Sequence, residues 1–137
     1  GNLQVGAASP RPGYLALEFV DDVPGLLRAA RLVVCRAGAS TLAEVAALGV
    51  PALAVPYPGA GAHQADNARQ LQGGIEVIAN ERLAAEGSAM VLDLAGDAKS
   101  AWRAEARELL QKRVPARASS QILADLLELA GLSGPRP

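Results

Sequence analysis

The segment CRAGASTLAE, residues 35–44, combines small residues with two hydroxyl groups and one acid. Small side chains let a ligand approach the backbone, and the first turn of a following helix leaves N–H groups unpaired. Together these features predict an anion site. A tight strand-to-helix turn, with Ser40 or Thr41 as the N-cap residue, explains the same residues without a ligand.

Glu44 also has two interpretations. Residues 41–44 read TLAE, which is a capping box whose acid folds back on the N–H of Thr41, and the spacing alone favours this role. The functional alternative is a carboxylate that accepts two hydrogen bonds from the vicinal hydroxyls of a ribose. Arg36, the cation near the proposed anion site, either neutralises a phosphate or reaches solvent.

The loop and helix AGAHQADNA contain the one histidine, His63. Gln64 and Asn67 are one helical turn apart and project the same way, and their amides suit sugar hydroxyls. A lone histidine at a helix start is more often a solvated polar residue than a catalyst. No second histidine, cysteine pair or carboxylate cluster accompanies it, so the sequence predicts neither a metal site nor a cofactor.

The elements that must position these residues alternate along the chain. Short apolar runs predict four strands, namely YLALEF (14–19), LVVC (32–35), ALAVPYP (52–58) and IEVIA (75–79). Helices follow them, the first with Asp22 as cap and Pro24 at its first helical position, the second ending at Gly49. The alternation predicts an α/β fold, a Rossmann-like parallel sheet with helices on both faces. Ligands of such sheets bind beyond the carboxyl ends of the strands.

Beyond Asn80 the sequence is mostly helical. It predicts a helix over ERLAAEGSAMVLDLA, a second over DAKSAWRAEARELLQKR capped by Asp97, and a last one over about 118–130. The tail 131–137, GLSGPRP, is expected to be disordered. The length of 137 residues predicts one domain, 1–137.

Composition excludes several classes of function. Thirteen basic residues balance fourteen acidic ones, and the chain has one Trp, two Tyr and one Phe, so no nucleic-acid partner is expected. The single cysteine allows no internal disulfide and fits a reducing, cytosolic compartment. Residues 45–62 carry no charge, but glycines and prolines would break a spanning helix there, and the start has no signal-peptide pattern.

Three segments occur in a familiar order and spacing: FVDD, then CRAGASTLAEVAALGVPALAVPYP, then HQADNA. They resemble the C-terminal half of the MurG family of peptidoglycan N-acetylglucosaminyltransferases, strongly from Phe19 to Asn67 and weakly through the later helices. The resemblance implies part of a GT-B C-terminal domain. Its function would be to bind UDP-N-acetylglucosamine, as the donor half of an inverting, metal-independent glycosyltransferase of peptidoglycan lipid intermediates.

The resemblance also implies residue roles. The backbone of Val20 would read uracil, Glu44 the ribose and Gln64 the sugar hydroxyls, while the turn at 39–41 would surround the diphosphate and sugar. The implied substrate-binding residues are Val20, Arg36, Gly38, Ala39, Ser40, Thr41, Glu44, His63, Gln64 and Asn67.

The family's acceptor-binding N-terminal domain, which holds the general base, has no counterpart in this sequence, nor does its GGS-type loop. We therefore assign no catalytic residue and expect the chain alone to be inactive. The implied partner is that N-terminal domain or a separate subunit. It would bring a lipid-linked acceptor at the inner face of the cell membrane. Two alternatives are the small soluble subunit of a split UDP-sugar glycosyltransferase, similar to the eukaryotic dolichol pair, and a non-catalytic nucleotide-sugar-binding module.

Overall fold

Three short parallel strands alternate with helices in the computed structural model, which describes residues 13–60, 63–114 and 118–132. The strands are β1 (Val33–Cys35), β2 (Ala52–Ala54) and β3 (Ile75–Val77). The α-helices are α1 (Val23–Ala29), α2 (Ala39–Leu48), α3 (His63–Gln70), α4 (Leu83–Ala95), α5 (Ser100–Arg113) and α6 (Ala118–Leu129). Short 3₁₀ turns cover Pro58–Ala60, Asn80–Arg82 and Asp97–Lys99.

The sheet has the order β1-β2-β3, and β2 is its central strand. Val33 pairs with Ala52, and Ala52 pairs in turn with Ile75. Helices α2 and α3 form the two crossovers between these strands. Successive right-handed crossovers in one direction place their helices on the same face of the sheet. The predicted Rossmann-like α/β fold is therefore confirmed, with the carboxyl ends of three strands at one edge.

One face of the sheet is covered by α2, α3 and α5. Ala52 and Ala54 on β2 pack in a buried cluster with Val45 of α2 and Leu110 of α5. Alanine on the strand lets the helices lie close to the sheet, and both Val45 and Leu110 are fully buried. This face fixes α2, which carries much of the predicted site.

The opposite face is covered by α4 and the start of α5. Leu53 and Val55 point to this side, because side chains alternate along a strand. They cluster with Ile78 and Leu94, and Trp102 of α5 packs against the edge of the cluster. Helices therefore cover both faces of the sheet, as predicted.

Local signals explain how α1 and α2 are bounded. The Asp22 carboxylate accepts a hydrogen bond from the N–H of Gly25 at 2.8 Å, so the predicted cap of α1 is confirmed. Gly49 ends α2 with φ +64°, a left-handed conformation that glycine adopts without strain. The predicted Asp97 cap is wrong: α5 follows a 3₁₀ turn, its N-cap residue is Lys99, and Asp97 pairs with Arg31 instead.

The predicted first strand, residues 14–19, is also wrong. The segment is irregular, and Leu15 and Phe19 are 78% and 79% exposed. A strand needs a hydrogen-bonding neighbour as well as an apolar pattern. In the described residues β1 pairs only with β2, and no strand pairs with its other edge. The described sheet thus has three strands where the sequence predicted four.

The helical C-terminal half agrees closely with the prediction. Gly87 and Ser88 lie inside a continuous α4, and α6 matches the last predicted helix. Pro115, predicted to separate α5 from α6, lies outside the described residues, as do residues 133–137 of the tail predicted to be disordered. Across the described ranges, every helix is too short or too polar to cross a membrane.

Candidate functional site

Apart from Val20, the predicted site residues lie in the loop after β1 and on the two crossover helices. The loop after β1 leads into α2, the loop after β2 leads towards α3, and Asn80 lies in the 3₁₀ turn that follows β3. All three follow the carboxyl ends of strands, the edge at which open α/β sheets bind ligands. Each of the three loops contributes different functional groups.

The N-terminus of α2 has no side-chain cap. Its N-cap residue is Gly38, and the first intrahelical bond runs from the N–H of Leu42 to the Gly38 carbonyl. The backbone N–H groups of residues 39–41 have no partner within the described part of the chain. A Cβ built on Gly38 would meet nothing within 4 Å, so open space lies in front of this turn.

The structural interpretation of Ser40, Thr41 and Glu44 is wrong. Because the helix begins at Ala39, Ser40 and Thr41 lie inside its first turn and neither is the N-cap residue. Glu44 lies in the second turn, so the capping box over residues 41–44 does not form. Its side chain is exposed and has no partner among the described residues. The carboxylate is free to accept hydrogen bonds from a ligand.

Asn67 on α3 contacts the loop that precedes α2. Its Nδ2 donates to the carbonyl oxygen of Ala37 at 3.3 Å, and Ala37 is fully buried. The carbonyl requires a donor, so this contact assigns the amide nitrogen and leaves Oδ1 as an acceptor. Asn67 thus ties the loop before α2 to α3, while one atom of its amide remains without a described partner.

Gln64 contacts the loop after β2. Its Oε1 accepts a hydrogen bond from the backbone N–H of Tyr57 at 2.8 Å, which leaves Nε2 as a donor. Gln64 and Asn67 are both partly buried. The two amides that the sequence singled out therefore each hold a loop of the candidate site.

Arg36 is exposed, but its guanidinium makes specific contacts. Its Nη1 donates to the carbonyl oxygen of Val55 at 3.3 Å and to Oδ1 of Asn80 at 2.7 Å. The guanidinium lies 5.5 Å from the centre of the Tyr57 ring, within cation–π range. The arginine therefore spans the ends of β2 and β3.

Val20 and His63 are the two remaining predicted site residues. Val20 is partly buried just before α1, and α1 packs against α2. His63 is the exposed first residue of α3 and has no hydrogen-bond partner in the described ranges. No group of three or more His, Cys, Asp or Glu residues in the part of the chain described here is arranged to hold a metal ion.

Burial raises the pKa of the Cys35 thiol at the end of β1. The cause is desolvation, because an apolar environment disfavours the thiolate. The side chain packs against the buried cluster under α2. Cys35 therefore acts as a small apolar residue of the core beneath the site.

Sequence reasoning missed Tyr57 and Asn80. Each directly follows the end of a strand, which was the available signal, but Tyr57 was placed at the end of a longer predicted strand and Asn80 was only a helix boundary. Their link runs through Arg36, which is far from both in sequence. Only the folded sheet brings the three residues together.

The sequence matches a known family and several curated proteins. The family model described as glycosyltransferase family 28 C-terminal domain matches residues 3–115. A UDP-N-acetylglucosamine–N-acetylmuramyl-(pentapeptide) pyrophosphoryl-undecaprenol N-acetylglucosamine transferase from Sorangium cellulosum is 41% identical over 120 residues, covering 83% of this chain and 29% of the relative. The protein of the same name from Sinorhizobium medicae is 40% identical over 124 residues, 80% of this chain and 33% of the relative.

The chain thus spans about a third of the length of these curated relatives. A shorter match, 49% identity over 59 residues to the protein of the same name from Corynebacterium glutamicum strain R, covers 43% of this chain. The family match covers both crossover helices and all three strands. The chain belongs to the family of glycosyltransferase family 28 C-terminal domains.

Proposed function

We propose that this chain, residues 1–137, is a donor-binding domain that takes UDP-N-acetylglucosamine for a glycosyltransferase. The observation that carries the proposal is the uncapped N-terminus of α2, with open space in front of Gly38. Unpaired N–H groups and the helix dipole both favour negative charge, so a diphosphate suits this position. The names of the relatives support the choice of nucleotide sugar.

We assign the nucleotide to α2 and the segment before α1. The diphosphate would lie against residues 38–41, with Ser40 and Thr41 adding hydroxyl groups. Glu44 would accept hydrogen bonds from the ribose, a role supported by its exposure and its lack of a described partner. The backbone at Val20 would read uracil beside it.

We assign the sugar to α3. Gln64 would offer Nε2 as a donor and Asn67 would offer Oδ1 as an acceptor, the atoms that their contacts with the two loops leave over. A pair with one donor and one acceptor suits vicinal hydroxyl groups. His63 would flank this pair from the start of the helix. Arg36 would contribute to donor binding from its position beside the Tyr57 ring.

The chemistry that follows is an inverting transfer without a metal ion. As the bond between the anomeric carbon of the sugar and the diphosphate oxygen breaks, its electron pair stays on the departing UDP, where the N–H groups of α2 would stabilise the negative charge. Transfer also needs a base near the acceptor hydroxyl and a surface that orients the acceptor. We infer that an acceptor-binding half, as a domain or separate subunit, supplies both.

The acceptor would be a lipid-linked muramoyl pentapeptide, in line with the relatives' names. Because such an acceptor is anchored in lipid, the complete enzyme would work at the inner face of the cell membrane. The chain described here would reach the acceptor only through its partner half.

Nucleotide binding can be tested by titrating the chain with UDP, uridine and free N-acetylglucosamine, followed by NMR because the affinity is expected to be weak. UDP should bind in preference to both, since only UDP carries the ribose and the diphosphate together. Equal binding of UDP and free sugar, or no binding of UDP, would contradict the proposal. Equal binding of UDP and uridine would contradict the assignment of the diphosphate to the N-terminus of α2.

Catalysis can be tested by mixing the chain with UDP-N-acetylglucosamine and a lipid-linked muramoyl acceptor. UDP release should be no faster than in the blank, and it should appear when an acceptor-binding half is added. If the chain alone transferred the sugar and His63→Ala abolished that activity, the assignment of His63 to donor binding would be refuted.

A further inference from the structure

One side chain connects the carboxyl ends of all three strands. Arg36 directly follows β1, and its Nη1 reaches the carbonyl of Val55 after β2 and the side chain of Asn80 after β3. The 2.7 Å contact to Asn80 is the shorter of the two, and a charged donor makes such a bond stronger than a neutral one. By distance, Asn80 makes the stronger of the two contacts that hold the exposed guanidinium.

The position of Arg36 bears on the ring of Tyr57. The guanidinium lies 5.5 Å from the ring centre. The ring also lies close to Gly59, since a Cβ built there would be 2.5 Å from Cε1 of Tyr57. Tyr57 is 52% exposed, so burial alone does not fix its ring and these two contacts help to place it. If the guanidinium moved away, the Tyr57 ring would keep only its contact at Gly59.

Tyr57 in turn orients Gln64. The 2.8 Å bond from the Tyr57 N–H occupies Oε1 of Gln64 and turns Nε2 away as the free donor. An amide can rotate by half a turn at little cost in space, so a fixed partner decides which of its ends faces a ligand. The orientation of the Gln64 amide therefore depends on where the Tyr57 backbone is held.

We propose that Asn80 is a positioning residue for the sugar of the donor: it holds Arg36, which holds the Tyr57 loop, which orients the Gln64 amide. The proposal rests on the proposed function, because it assumes that Gln64 meets the sugar. Asn80 itself touches no ligand. Its loss should change how the sugar is recognised and leave recognition of the nucleotide on α2 unchanged.

The experiment compares the affinities for UDP and for UDP-N-acetylglucosamine in four versions of the chain: unchanged, Asn80→Ala, Asn80→Asp and Glu81→Ala. The dissociation constant for UDP divided by that for UDP-N-acetylglucosamine isolates the contribution of the sugar. Asn80→Asp keeps an acceptor for Arg36 and should preserve the ratio, even if its added charge weakens both ligands together. Glu81 is the exposed neighbour, with no side-chain partner among the described residues, and serves as the matched control.

In Asn80→Ala we expect the ratio to fall severalfold while the affinity for UDP stays within about twofold. The backbone amide of Tyr57 and the side-chain amide of Gln64 should also shift in NMR spectra of the ligand-free variant, and should not shift in Glu81→Ala. If Asn80→Ala does not fold, Asn80→Ser makes the same test, because its hydroxyl is too short to reach Arg36.

An unchanged ratio in Asn80→Ala would overturn this inference, and so would equal affinity of the unchanged chain for the two ligands. In both cases the proposal that the chain binds UDP would still stand. If the ratio fell as far in Asn80→Asp as in Asn80→Ala, the inference would also be overturned, because an acceptor for Arg36 would not be enough to orient the Gln64 amide. Failure of the unchanged chain to bind UDP would remove the proposed function, and this inference with it.

Discussion

The side-chain amide of Asn67 donates to the backbone carbonyl of Ala37, with 3.3 Å between Nδ2 and the oxygen. This contact joins α3 to the loop that leads into α2, across thirty residues of sequence. It fixes the backbone immediately before the unpaired N–H groups of α2. The preorganisation of the proposed anion site therefore depends on a side chain of the next helix.

Asn67→Asp tests that dependence. A carboxylate cannot donate and would face the Ala37 carbonyl, so the hydrogen bond is replaced by repulsion between two acceptors. We expect the free energy of unfolding to fall by about 1 kcal/mol and UDP affinity to fall several-fold. Chemical denaturation and NMR titration measure the two effects. Asn67→Asp with unchanged UDP affinity would show that Asn67 does not organise the turn.

Glu44→Gln separates a ligand role from a structural one. The capping box does not form and the side chain is exposed without a described partner, so stability should change by no more than about 0.5 kcal/mol. A neutral amide is a weaker acceptor for ribose hydroxyls than a carboxylate, and UDP affinity should fall about fivefold.

The control for Glu44 is a ligand that lacks one ribose hydroxyl. The 2′-deoxy form of UDP should bind the unchanged chain more weakly than UDP does, and Glu44→Gln should reduce its affinity less than that of UDP. If the variant weakens both ligands equally, the carboxylate acts on the whole nucleotide and not on the ribose.

The parts of the fold that depend on short-range signals could be predicted from sequence. Asp22 and Gly49 bound their helices as expected, because a cap and a left-handed turn are decided within one helical turn. The sequence predicts a later start for α2, because Ser40 is a more favourable N-cap residue than Gly38 and Thr41 fits a capping box with Glu44. The helix begins earlier and leaves its N-terminus open.

Long-range contacts could not be predicted in this way. Whether residues 14–19 form a strand depends on a neighbouring edge, and hydrophobicity says nothing about that edge. The contacts of Arg36 with Asn80 and Tyr57 depend on the strand order, which brings the ends of β1, β2 and β3 together. The resemblance assigned residue types to a ligand, and the structure adds how those residues hold one another.

Burial of Cys35 gives stability a dependence on pH. The pKa of the thiol is raised in the folded chain, so above about pH 8.5 the unfolded chain loses a proton that the folded chain keeps. The free energy of unfolding should therefore fall as the pH rises through this range. Denaturation of Cys35→Ala supplies the control, because subtracting its pH profile removes the other groups. A difference that stays flat up to pH 10 would contradict the prediction.

Gly38→Asp is expected to raise the free energy of unfolding and to weaken UDP binding. Gly38 has φ −69° and ψ 143°, which any residue adopts, and a Cβ there meets nothing within 4 Å. An aspartate can therefore cap the unpaired N–H groups of α2, raising stability by a few tenths of a kcal/mol. The same carboxylate would occupy the groups assigned to the diphosphate and repel it, so UDP affinity should fall more than about tenfold.

Gly38→Ala is the matched control for this variant, because it adds the Cβ without a cap or a charge. It should bind UDP within about twofold of the unchanged chain. Thermal unfolding and NMR titration of the three versions give both quantities. If Gly38→Asp gained stability and still bound UDP normally, the diphosphate could not lie on the N-terminus of α2. If Gly38→Ala lost binding as well, steric contact and not anion recognition would govern this turn.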